Sequence, residues 1–101
     1  MILGTANSIN GVPIRLTEER WMHIVEGHEE FSYNEMETIL DAVENPEYIL
    51  RGYQGTLVAV VVLGKSGYLH VVYKEVNASD GFIITAGIRP SMNKKQILWR
   101  S

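Results

Sequence analysis

The chain has 101 residues, 46% of them apolar and 21% charged, with a net charge of −3. That is the balance of one ordinary globular domain with a single core, and it excludes disordered, collagen-like and low-complexity classes. There is no cysteine, which removes disulfide scaffolds, thiol nucleophiles and iron–sulfur sites, and the longest apolar run, Leu57 to Leu63, falls far short of the roughly 20 residues of a membrane-spanning helix.

Residues 1–11 are expected to be a loosely ordered lead-in. Val12, Ile14 and Leu16 alternate with Pro13 and Arg15, which predicts a short edge strand, since proline cannot donate to a ladder. Thr17 suits a helix N-cap, with Glu18 and Glu19 in the first turn, where acids complement the helix dipole. Trp21, Ile24, Val25 and His28 then fall at i, i+3, i+4 and i+7, a short amphipathic helix ending near Gly27. Asn34 and Glu37 form a capping-box pair, and Met36, Ile39, Leu40 and Val43 make the apolar stripe of a second helix. Asn45-Pro46 stops that helix.

From Glu47 the pattern is β. Strands are expected over Tyr48–Tyr53, Thr56–Leu63, Tyr68–Val76 and Phe82–Ile88, with turns at Gly64–Gly67 and Asn77–Gly81. The tail from Met92 to Ser101 reads equally as a strand or a helical turn. The order predicts a single α+β domain over residues 1–101, two N-terminal helices packed on one face of an antiparallel β-meander.

Charge is unevenly distributed. Residues 1–50 hold ten acids and two bases, and residues 51–101 hold seven bases and two acids. A polyanion would be drawn to the second half. Alternation along the strands predicts which side chains share a face. Leu69, Val71 and Tyr73 point inward with Phe82, Ile84, Ala86 and Ile88. His70, Lys74, Thr85 and Arg89 share the outer face with Ile83 and Gly87, and Arg51 and Tyr53 are candidates to join them. Such a set has a titratable base, cations and a hydroxyl but no carboxylate, and it suits an anionic ligand such as phosphate.

Of the histidines, His23 faces away from Trp21 on the first helix, and His28 lies just past its end, where an imidazole can also bond the last carbonyls. Neither forms an i, i+4 metal pair with the other. No metal or other cofactor is expected. Metal-free RNA cleavage needs a base for the 2′-hydroxyl, an acid for the leaving 5′-oxygen and cations around the phosphorane. Histidine, glutamate, lysine and arginine supply these residue types.

The run Thr17-Glu18-Glu19-Arg20-Trp21-Met22-His23-Ile24 and Gly27-His28-Glu29-Glu30, a capped helix ending in Asn45-Pro46, and a meander closing on Ile83-Ile84-Thr85-Ala86 resemble the barnase–EndoU–colicin–RelE-like nuclease superfamily. The likeness, spanning residues 12–99, is to its small phage-type domains, and the BrnT-type toxins share a similar order. It implies a metal-independent ribonuclease of toxin type, paired with an antitoxin. It would place catalytic roles on His23, His28 and Thr85, with Lys74, Arg89 and Lys94 as cations. On this reading His70, Arg89, Lys94, Lys95 and Arg51 bind substrate, and the helix imidazoles must share one cleft with Lys74 and Thr85.

Two alternatives stand beside this one. The chain could be a non-catalytic module of the same fold that binds a protein partner through Tyr53, Tyr68 and Trp99, or a simple nucleic-acid binder using Lys94, Lys95 and Arg100. An edge strand would allow a homodimer. Met1–Asn10 lacks the basic start and long apolar stretch of a signal peptide, so a cytoplasmic location is expected.

Overall fold

A computed structural model describes residues 1–27 and 35–101. The strands are β1 (Ile2–Asn7), β2 (Pro13–Thr17), β3 (Tyr48–Arg51), β4 (Leu57–Val62), β5 (Tyr68–Asn77), β6 (Asp80–Arg89) and β7 (Ile97–Arg100), and the helices are α1 (Glu18–Gly27) and α2 (Met36–Glu44). All seven strands form one sheet in the order β1-β2-β6-β5-β4-β3-β7.

The α+β class holds, with two corrections. The helices are not N-terminal, because β1 and β2 precede them. The sheet is not a pure antiparallel meander either. Strands β3 to β6 follow one another as hairpins, but β2 pairs with β6 in parallel and β7 returns beside β3. The expected lead-in is itself a strand: β1 pairs with β2 in a hairpin closed by Ser8 N–H donating to Val12 O at 2.9 Å. This pairing also moves β2 inside the sheet, between β1 and β6 rather than at an edge. Pro13 is tolerated because it is the first residue of its strand.

Both helices pack on one face. Trp21 and Ile24 of α1 and Ile39, Ala42 and Val43 of α2 join Ile14, Leu16, Ile49, Ala59, Leu69, Val71, Tyr73, Ile83 and Ala86 in a single buried cluster. Ile24 is fully buried there, and its truncation to alanine would cost about 2–5 kcal/mol. At the start of α1, Arg20 N–H donates to Thr17 Oγ1 at 3.2 Å, as a cap should. The residue before α2 is Glu35, without a side-chain cap. The predicted cap Asn34 lies outside the described residues. Asn45 ends α2, its backbone N–H on Asp41 O and its side-chain amide on Asp41 Oδ1 at 2.8 Å.

A β-bulge changes the facing of β6. Val72 pairs with Thr85, but Tyr73 pairs with Ile83, so Ile84 is the extra residue. Ile83 is therefore buried in the core in place of Phe82, and Phe82 turns to the outer face, where the Arg15 guanidinium lies 5.7 Å from its ring centroid. Beyond the bulge the predicted alternation is restored. Strand β3 stops at Arg51 because Tyr53–Gly55 form a tight turn in which Gln54 takes a φ of 52°.

Candidate functional site on the second sheet face

The face away from the helices is partly roofed. Arg89, the last residue of β6, pairs with Tyr68, whereas Ile97, the first of β7, pairs with Leu50, which in turn pairs with Val58 and through it with Val72. Residues 90–96 must therefore cross β5, β4 and β3 diagonally, about 19 Å across the strands and about 13 Å along them at the usual spacing and rise. Pro90 ends the ladder, and Asn93 Oδ1 accepts from Lys95 N–H at 3.1 Å to start the turn that leads into β7. This strap explains why Val60 and Leu50, which face away from the helices, are only 0% and 4% exposed.

Between strap and sheet lies a hollow of ≈ 490 Å³, lined by Leu50, Val58, Val72, His70, Arg89 and the strap residues Pro90 to Asn93. A smaller hollow of ≈ 230 Å³ adjoins it, sharing His70, Val72 and Arg89 and adding Thr85 and Gly87. Gly87 is directly opposite His70 and, having no side chain, leaves the second hollow open. Thr85 and Arg89 flank it on either side, so both stand diagonally from His70, within about 7–8 Å on neighbouring antiparallel strands. No carboxylate is among the described residues lining either hollow. A guanidinium beside an imidazole and a hydroxyl is the kind of donor set that can receive an anion.

The state of His70 is fixed by its surroundings. Its Nδ1 lies 3.1 Å from the carbonyl oxygen of Tyr68. A carbonyl can only accept, so in the neutral ring Nδ1 carries the proton and Nε2 keeps the lone pair. Burial, aided by the positive charge of Arg89, holds the imidazole below its ordinary range against the opposing pull of that hydrogen bond. Both effects favour the uncharged ring, in which Nε2 can act as a base.

The predicted site residues divide. His70, Thr85 and Arg89 come together as alternation along β5 and β6 requires. Lys74 shares their face but lies four residues along β5 from His70, about 13 Å at strand rise, opposite Phe82 and lining neither hollow. Arg51 alternates with Leu50 and so faces the helix side, at the outer part of β3. Lys94 and Lys95 are exposed on the turn that ends the strap, outside both hollows. His23 is exposed on α1, the helix that packs on β2 and β6 from the opposite face. The sheet therefore separates His23 from His70, Lys74, Thr85 and Arg89, and the expected shared cleft does not form with it. His28 lies outside the described residues. The residues that sequence reasoning missed are Met92 and its strap neighbours; Pro90 marked the break of β6 but nothing marked the crossing.

Among the described residues no group of three or more His, Asp or Glu side chains could hold a metal ion, and no helix is long and apolar enough to cross a membrane. No family model, curated protein or solved structure matches this chain.

Proposed function

We propose that the protein binds RNA on the strap-covered sheet face and cleaves it, without metal, by 2′-hydroxyl transesterification. The observation that carries this reading is a half-buried imidazole held beside a guanidinium on a surface whose described lining has no carboxylate. Arg89 would hold the phosphodiester, Thr85 would donate a hydrogen bond to it, and His70 Nε2 would take the 2′-hydroxyl proton. The 2′-oxygen then attacks phosphorus, the bond to the 5′-oxygen breaks, and a 2′,3′-cyclic phosphate and a 5′-hydroxyl are left. The base thus sits on β5 rather than on the first helix. The reading accords with the resemblance to the barnase–EndoU–colicin–RelE-like superfamily, in which such chemistry is the rule. An antitoxin-like protein partner and a cytoplasmic setting would go with it.

No second histidine and no carboxyl group is among the described residues lining the hollow, so of those residues none but His70 could serve as acid to the leaving oxygen. A positioned general acid is worth roughly 10²–10⁴ in rate, and the cleavage expected here is correspondingly slow. The same observation favours one alternative, binding of RNA at this face without cleavage. Incubating the pure protein with single-stranded RNA in EDTA separates the two. Cyclic-phosphate ends that vanish in His70→Gln support the enzyme. Retained binding without products leaves the binder, and absence of both binding and products rejects the site.

A further inference from the structure

The hollow under the strap has two chemically different ends. Arg89, His70 and, through the adjoining depression, Thr85 make a polar end. Leu50, Val58 and Val72 make an apolar floor at the other, with Met92 of the strap among its walls. A phosphate alone would use only the first end. The volume of ≈ 490 Å³ lies in the range that takes small-molecule ligands, where apolar walls supply affinity and a few polar groups fix orientation.

We infer that this hollow is a single-nucleotide subsite: the phosphate lies on Arg89 and the base inserts between Met92 and the Leu50–Val58–Val72 floor. The inference rests on the RNA reading above and adds to it the form of the substrate. A base can enter only if it is unstacked, so the site takes single-stranded RNA and rejects duplex, whose base faces are covered. The floor is aliphatic, and methionine is an adaptable thioether that fits surfaces of differing shape. Leu50, Val58 and Val72 carry no hydrogen-bonding side chain, so the floor grips the base by its face, and purines and pyrimidines bind alike.

Titration of the full-length protein with ribose 5-phosphate, AMP and UMP, followed by amide NMR, tests this. AMP and UMP are expected to bind within roughly threefold of each other and about tenfold or more tighter than ribose 5-phosphate, because only they bury a base against the apolar floor. Met92→Ala, on a half-exposed strap residue, should bring both nucleotides down toward ribose 5-phosphate while leaving ribose 5-phosphate unchanged. Val72→Thr, which keeps the β-branched shape, should weaken the nucleotides in the same sense. Equal binding of ribose 5-phosphate and the nucleotides overturns the base subsite and leaves the anion site standing. Failure of all three to bind overturns the anion site as well.

Discussion

Arg89 and His70 stand diagonally across the β5–β6 ladder, each facing the other's neighbour: Arg89 is opposite Tyr68 and His70 is opposite Gly87. The cation and the base therefore share one surface without pairing, and the cation helps to keep the base neutral.

That relationship has a direct spectroscopic consequence. His70 should titrate below 6.5, the ordinary value for imidazole, and Arg89→Ala should raise its pKa. The neutral ring should be protonated at Nδ1, which long-range ¹H–¹⁵N correlation reads. A proton on Nε2 would contradict the hydrogen bond to Tyr68.

The same shift predicts how stability responds to acid. With its folded-state pKa below the unfolded value, His70 binds protons more readily when the chain unfolds. Its contribution is complete above about pH 6.5 and is lost as pH falls through the folded-state pKa. Urea titrations at pH 7.5 and pH 5 should show a smaller acid-induced loss in His70→Gln than in the parent. An equal loss in both would place the acid sensitivity elsewhere.

Alternation made much of the site legible. His70, Thr85 and Arg89 each lie at outward positions of a hairpin whose inward residues, Leu69, Val71 and Ala86, are plainly apolar. The bulge at Ile84 was not legible, because an inserted residue leaves no mark in a run where every side chain from Phe82 to Ile84 could serve the core. The strap escaped for a different reason: residues 90–96 have no period, and only the return of β7 to the far side of β3 shows that they cross the face. His23 is exposed as its angle on α1 predicts, but that angle says nothing about which side of the sheet the helix covers.

The buried polar groups give a further check. Tyr73 is wholly buried in the core, and its hydroxyl has no partner among the described residues. An unsatisfied buried hydroxyl costs about 1–3 kcal/mol. Tyr73→Phe should therefore be neutral or stabilising by about that amount in urea denaturation. A clear destabilisation would mean that the hydroxyl is satisfied.

Ser8 predicts the opposite. It is 6% exposed, donates to Glu75 Oε2 at 2.5 Å, and accepts from Val12 N–H at 3.2 Å and Asn10 N–H at 3.3 Å. It joins the β1–β2 hairpin to the far end of β5. Ser8→Ala strands the Val12 amide and should cost about 1–3 kcal/mol, with protection from hydrogen exchange lost first in β1. A cost within about 0.5 kcal/mol, ordinary for a surface change, would show that this link is not needed.

The proposed site, on the face away from α1, gives His23 no part in binding or cleavage. His23→Ala should cleave and bind RNA as the parent does, while Arg89→Ala should lose both. Equal loss in the two variants, each verified as folded, would return the chemistry to the helix.

The proposed site is tested most directly by which amides respond to RNA. Adding a short single-stranded oligoribonucleotide to ¹⁵N-labelled full-length protein should shift the amides of His70, Val72, Thr85, Gly87 and Arg89 to Asn93, and leave those of α1 and α2 in place. Shifts confined to Trp21–Gly27 and α2, with the strap and the outer face of β5 and β6 unmoved, would contradict it.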